Sequence, residues 1–244
     1  MSKQRPATAA GGTDTADTAV VRAERLTRCF TTGTSTVVAV RGVTASVPPH
    51  ARIALTGPSG SGKTTLLHLL AGLDTPTAGT VCWPGADHNL SRRGAPERVG
   101  LVFQGASLVP TLDVTENVRL PLLLAGHPLG EATAQALMAL HRLGIGELAE
   151  ALPDALSGGQ AQRVAIARVL AAAPRVILAD EPTARLDHTT ATMVLDVLIS
   201  AADEAGSALI VSTHDPTISH RLPTEWTMHD GRLRTLAGED RRRT

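Results

Sequence analysis

Residues 52–72 constrain this chain more than any other stretch. A short apolar run, Ile53-Ala54-Leu55, leads into Gly57-Pro58-Ser59-Gly60-Ser61-Gly62-Lys63-Thr64, and a helix former with Leu66, Leu67, Leu69 and Leu70 follows. The central eight residues match G-x-x-x-x-G-K-[ST], and they stand where that pattern works, between a buried strand and a helix. A turn of inward-pointing backbone N–H groups makes a concave anion site. Gly57, Gly60 and Gly62 permit the dihedrals and close backbone approach it needs. The helix adds its N-terminal partial positive charge. Lys63 is placed to reach β- and γ-phosphates, and the Thr64 hydroxyl is a hard oxygen suited to Mg²⁺. The motif predicts nucleoside triphosphate binding and leaves its purpose open.

Composition narrows the purpose. The 244 residues suit one large domain or two small ones, and 43% are hydrophobic, enough for a sizeable core. Only 2% are aromatic, so the core must come from Leu, Val, Ile and Ala. Basic and acidic side chains number 23 each, so the basic excess usual for a nucleic-acid partner is missing and none is expected. Apolar runs fall far short of the roughly 18 residues that cross a bilayer. Residues 1–19 are polar and Ala/Thr-rich, read as a disordered leader without a secretory signal, and the chain is expected in the cytosol. Cys29 and Cys82 stand apart and read as reduced, structural cysteines.

Along the chain, Val20–Phe30 and Val37–Val47 read as strands ahead of the glycine loop, an antiparallel opening to a parallel core. Thr80–Trp83 and Val99–Phe103 are further short strands, separated by a loop from Pro84 to Pro96. From Leu112 to Ala151 the pattern turns helical, over Thr115–Ala125 and Glu131–Leu143. A helix from the Leu156–Gln160 segment to Ala173, a strand over Arg175–Glu181, a helix over Asp187–Ala205 and a strand over Ala208–Thr213 follow. Asp215–Arg221 reads as helical, and a hairpin around His229-Asp230-Gly231 closes the unit. Such alternation predicts a mostly parallel α/β sheet, with ligands beyond the carboxyl ends of its strands.

Chemistry gathers at those ends. Ile177-Leu178-Ala179-Asp180 is an apolar strand ending in an acid that can hold Mg²⁺ beside the glycine loop. Glu181 follows, a carboxylate able to orient and deprotonate an attacking water. His214 ends the next strand and could bond the γ-phosphate or that water. Gln104 also ends a strand, and its amide could meet Mg²⁺ or water while relaying a conformational change.

Leu156-Ser157-Gly158-Gly159-Gln160, followed by Gln162-Arg163, resembles the signature of ABC-type ATPases. The glycine loop, Gln104, this signature, Ile177-Leu178-Ala179-Asp180-Glu181-Pro182-Thr183, Leu186-Asp187 and Ser212-Thr213-His214-Asp215 occur in that family's order over roughly residues 20–236. The resemblance implies a P-loop NTPase, RecA-like core with an N-terminal antiparallel β portion, an α-helical subdomain inserted at about 105–165, and a charged tail at 237–244. It implies ATP and Mg²⁺ as ligands. Gly57 to Thr65, including Pro58, Ser59, Ser61 and Thr65, would bind phosphates, with Lys63 also serving hydrolysis. Thr64, Gln104 and Asp180 would serve the metal, Glu181 would be the base and His214 the switch. Ser157, Gly158, Gly159 and Gln160 would cap the ATP of a second subunit, with Asp187 as a contact beside them. That matches the residues themselves, since Ser157-Gly158-Gly159 at a helix N-terminus is a second anion site. Phe30 falls where the family places an aromatic against adenine, although a Phe there would also suit a core.

Two positions depart from the family: Ala184-Arg185 stands where relatives usually have Gly-Asn, and Leu152-Pro153-Asp154-Ala155 lacks the usual His or Tyr. Val102-Phe103-Gln104, Leu108-Val109-Pro110-Thr111-Leu112, Glu116-Asn117-Val118 and Leu120-Pro121-Leu122 resemble the ATP-binding subunits of lipoprotein-release and macrolide-export transporters. The implied partners are an integral membrane permease and a second ATP-binding subunit, with the chain peripheral on the inner face of the cell membrane. Leu108, Val109 and Leu112 look exposed and suggest a groove for the permease. A soluble, non-transport ABC ATPase is the alternative, but it usually carries tandem ATPase domains or long coiled coils, and neither is visible here.

Overall fold

The computed structural model describes residues 18–84 and 99–236. Most of the expected leader, nearly all of the Pro84–Pro96 loop and the tail at 237–244 lie outside the described residues. Three strands, β1 (Val21–Thr32), β2 (Ser35–Val47) and β4 (Ala78–Cys82), form an antiparallel sheet in the order β2-β1-β4. A second sheet holds β3 (Arg52–Thr56), β5 (Val99–Val102), β6 (Val176–Asp180), β7 (Ala208–Ser212), β8 (Thr224–His229) and β9 (Arg232–Leu236). Its order is β5-β6-β7-β3-β8-β9, parallel except for the closing β8–β9 hairpin.

Why β6 and β7 read as unbroken apolar runs is plain from their two faces. Val176, Leu178, Ala208 and Ile210 pack with Ile53, Leu55 and the helix α1 (Lys63–Leu70), together with the apolar side of the antiparallel sheet. Ile177, Ala179, Leu209 and Val211 pack into a second cluster. That cluster takes in α2 (Val114–Leu124), α3 (Leu129–Arg142), α4 (Gly158–Ala171) and α5 (His188–Glu204). Side chains alternate between faces along a strand, and parallel strands covered on both sides need apolar residues at every position. The last helix, α6 (Pro216–Ser219), is a single turn.

Asn117 organises the helical region. It is fully buried; its Oδ1 accepts from Val109 N (2.7 Å), and its Nδ2 donates to the carbonyls of Val109, Leu112 and Asp113. The segment ahead of α2 is thereby clamped to the helix. As a result Leu108, Val109 and Leu112 are only half-exposed, and Leu108 packs on the core rather than standing free as the sequence suggests. The most exposed apolar side chains of this region are instead Leu124 (80%), Met138 (61%) and Leu129 (58%).

Candidate functional site

The loop after β3 carries Gly57, Gly60 and Gly62 at φ of 138°, 77° and 103°. A Cβ on Gly57 would fall 2.2 Å from the Met228 carbonyl oxygen, and one on Gly62 2.2 Å from that of Ala39, whereas one on Gly60 would meet nothing within 4 Å. Two of the three glycines therefore admit the protein's own backbone, from β8 and β2. Gly231 N donates to Ser61 O (3.1 Å) and Arg41 N to Gly231 O (2.8 Å), so the closing hairpin stitches the loop to the antiparallel sheet. Beside Gly60 opens a cleft of about 420 Å³ lined by Val37, Val38, Ala39, Asp230 and Gly231. Lys63 is only 7% exposed, and its Nζ donates to the carbonyls of Gly57 (2.8 Å) and Pro58 (3.1 Å). The Ser61 hydroxyl is buried with no hydrogen-bond partner among the described residues, a polar atom with capacity to spare inside the loop.

Parallel pairing brings the remaining groups to the same edge. Asp180 lies opposite Ser212 in the β6–β7 register. The Thr64 hydroxyl donates to Asp180 Oδ2 (2.7 Å), and the Ser212 hydroxyl donates to Asp180 Oδ1 (2.5 Å) while accepting from Glu181 N (2.9 Å). One hydroxyl thus orients both carboxylate-bearing residues. Glu181 sits at φ 44°, a left-handed conformation costly for a side chain with a Cβ, and its backbone N–H bonds hold it there. His214 Nδ1 lies 3.4 Å from Glu181 Oε2, with the His side chain 69% exposed and the Glu side chain 19%. Thr64, Asp180, Ser212, Glu181 and His214 therefore form one connected set at the strand ends, and Lys63, next to Thr64 in the chain, is bonded to the carbonyls of its own loop.

Gln104 stands somewhat apart. It is exposed, and among the described residues it hydrogen-bonds neither Thr64 nor Asp180. Its flanks are fixed from α4: Gln162 Nε2 donates to Phe103 O (3.1 Å), and Arg168 donates to the carbonyls of Ser107 (3.0 Å) and Ala106 (3.3 Å). Burial lowers the pKa of the Arg168 guanidinium.

The Ser157–Gln160 segment forms the N-terminus of α4. Ser157 Oγ accepts from Gln160 N (3.2 Å) and Gln160 Oε1 from Ser157 N (2.8 Å), a complete capping box. Ser157 and Gly158 are exposed, and Gly159 lies against Leu186, whose Cδ2 would be 3.1 Å from a Cβ there. Asp187 caps α5 by accepting from Thr190 Oγ1 (2.6 Å) and Thr190 N (3.0 Å); these bonds, the hydroxyl's first, hold its carboxyl below the usual range. Phe30 is no core residue: it is 42% exposed at the end of β1, with the Arg28 guanidinium 4.7 Å from its ring centre.

Three residues here escaped sequence reasoning. Ser212 is legible only once β6 and β7 are known to pair, although it stands just two residues before His214. Arg28 and its partner Asp74 are 46 residues apart, and nothing local joins them.

Comparison with known proteins agrees with this fold. The family model described as "ABC transporter" matches residues 40–184, more than half of the chain. The lipoprotein-releasing system ATP-binding protein LolD of Legionella pneumophila (strain Lens) is 38% identical over 219 residues, covering 88% of this chain and 96% of its own. LolD of Alcanivorax borkumensis is 39% identical over 224 residues, covering 90% and 98%. Among solved structures, the dimeric post-hydrolysis ATP-binding cassette MJ0796 bound to ADP and Pi superposes with a TM-score of 0.81 at 32% identity, covering 89% of this chain and 98% of that one. The phosphate loop, the paired acids and the capped signature helix, on a fold shared with such cassettes, place this chain in the ABC transporter family as an ATP-binding, ATP-hydrolysing subunit.

Proposed function

We propose that the chain hydrolyses ATP at the Lys63–Thr64–Asp180–Glu181–His214 edge to drive a separate membrane permease of the lipoprotein-release type. The observation that carries the reading is the Ser212 hydroxyl, which joins Asp180 Oδ1 to Glu181 N and fixes the two acids for different tasks. Lys63 and the loop N–H groups hold the phosphates. Glu181, on its restrained backbone, takes the proton of the attacking water, and His214 beside it orients Glu181 and reads the γ-phosphate. Thr64 and Asp180 present a hydroxyl and a carboxylate side by side, a hard-oxygen pair of the kind Mg²⁺ accepts alongside phosphate oxygens. They would hold Mg²⁺, which neutralises charge on the transferring phosphate when bound. Gln104 would join this set by moving with its loop.

Ser157, Gly158 and Gly159 cap the ATP of a second copy, and Asp187 lies at the same contact. The chain has no helix long and apolar enough to cross a membrane among its described residues, so the permease supplies the membrane segment. The exposed apolar residues of α2 and α3 suit its docking on the cytoplasmic side. The relatives' name assigns lipoprotein release to those proteins, and we extend it to this one.

Replacing Glu181 by Gln keeps shape and removes basicity. Steady-state hydrolysis should fall roughly 10²–10⁴-fold with ATP binding intact; near wild-type turnover would end the assignment. Affinity capture from detergent-solubilised membranes should bring down one multi-spanning protein with this chain, and recovery of ribosomes or DNA in its place would overturn the transport reading.

A further inference from the structure

We propose that Arg28 is a positioning residue for the nucleobase: moored to Asp74, it backs one face of Phe30 so that the ring presents its other face to a purine. The proposal rests on the reading of Phe30 as the base platform.

The geometry is specific. Arg28 and Phe30 lie two residues apart on β1, where side chains share a face of the strand. The guanidinium carbon is 4.7 Å from the ring centre, within cation–π range. The same guanidinium grips Asp74 with two parallel bonds, Nε to Oδ2 and Nη2 to Oδ1, each 2.8 Å. A two-pronged Arg–carboxylate pair fixes orientation as well as distance. Phe30 remains 42% exposed with its backing in place.

Where Asp74 comes from gives the contact its meaning. It follows α1, the helix that begins at Lys63, and Leu73 N and Asp74 N close back onto His68 O at 2.9 and 3.3 Å. The same turn is sewn to β1 by Thr77 N on Thr27 O (2.7 Å) and by Cys29 N on Thr77 Oγ1 (3.0 Å). Phosphate loop and base platform belong to different sheets, and α1 joins them: Lys63 at its first turn, the Asp74–Arg28–Phe30 relay just past its last. The relay sets the span between the two ends of the nucleotide. A cation on one face of an aromatic ring also favours an electron-rich base on the other.

Binding of ATP and of inorganic tripolyphosphate, compared by calorimetry, separates the base end from the phosphate end. Arg28→Ala should weaken ATP roughly 5–10-fold, the scale of a lost cation–π contact, and leave tripolyphosphate unchanged. Arg28→Lys keeps a cation over the ring without the fork and should recover part of the loss. In a Phe30→Ala background, Arg28→Ala should add nothing, because its effect passes through the ring. Equal loss of both ligands, an additive effect in the double variant, or tighter ATP binding by Arg28→Ala would each overturn the proposal, the last because it would put the guanidinium in the base's own place. If Phe30→Ala binds ATP normally, the platform reading itself falls. If Phe30→Ala weakens ATP and Arg28→Ala does not, only the role of Arg28 falls. Should Arg28→Ala fail to fold, Asp74→Asn loosens the fork and must give the same selective loss of ATP; wild-type affinity for both ligands there would overturn the relay.

Discussion

The two ends of this chain that we read as anion sites are finished to different degrees. At the glycine loop every charged group has a partner from the same chain: Lys63 has two carbonyls, and Asp180 has two hydroxyls. At the signature, the Ser157 and Gln160 side chains each accept from the other's backbone N–H, and Ser157 and Gly158 face solvent. One end is a complete cradle built on a buried strand; the other is a helix start displayed on the surface. Each ATP needs one triphosphate cradle, so under the proposed reading the displayed end would serve a second molecule's nucleotide, and a two-fold arrangement of copies would supply it.

Mixed variants test this contrast most severely. Lys63→Ala removes the cradle's cation, and Ser157→Arg fills the displayed end. Each alone should abolish nucleotide trapping. Mixed with subunit exchange confirmed, the heterodimer has one whole site, so trapping should exceed the sum of the separate variants; plain additivity would mean each chain completes its own site. Within the finished half, Ser212→Ala removes the hydroxyl that joins Asp180 Oδ1 to Glu181 N, leaving Asp180 its bond from Thr64 and Glu181 N its bond to the Ser212 carbonyl. Hydrolysis should drop on the order of 10–100-fold, the effect of misplacing a catalytic group by a fraction of an ångström to an ångström. An unchanged rate would show that the bond from Glu181 N to the Ser212 carbonyl is enough to hold the left-handed Glu181.

Farther from the nucleotide, Asn117→Ala strands several backbone groups and should cost roughly 2–4 kcal/mol in chemical denaturation. A cost under about 1 kcal/mol would mean that solvent reaches the clamp. The smallest effect belongs to the exposed half. The Asp187 carboxyl is held below its ordinary value of 3.8 by Thr190. Its folded pKa is thus the lower one, so its charge contributes stability above about pH 4, and this is lost as pH falls through the folded value. Asp187→Asn keeps a cap, so its difference in stability from wild type should shrink steadily below pH 4. A pH-independent difference would show that the charge contributes nothing.

Much of this was legible in the sequence for a physical reason. β6 and β7 announce themselves because burial on both faces demands an apolar run; the acids follow the first run directly, and His214 stands out as the titratable residue closing the Ser212-Thr213-His214 end of the second. The glycine-loop motif was legible because its residues are contiguous. What stayed hidden was whatever depends on pairing across the chain. The role of Ser212 exists only in the register that sets it beside Asp180. Gly57 and Gly62 are required by carbonyls at 228 and 39, and no local signal marks those approaches. Leu108 looked free because the clamp that turns its segment inward is a single side-chain amide, Asn117, bonding to main-chain groups up to eight residues away, and nothing in the local sequence marks those partners.

The alternation of β6 between two packed clusters has a consequence for how this chain can change. Substituting Leu178 alters one compartment. Deleting it would exchange the addresses of the residues beyond it, sending side chains meant for one side of the sheet to the other, and would draw Asp180 back from Thr64. The strand therefore behaves like text with a reading frame: its letters can be edited one at a time, whereas its length is fixed by the hydroxyl waiting at its tip.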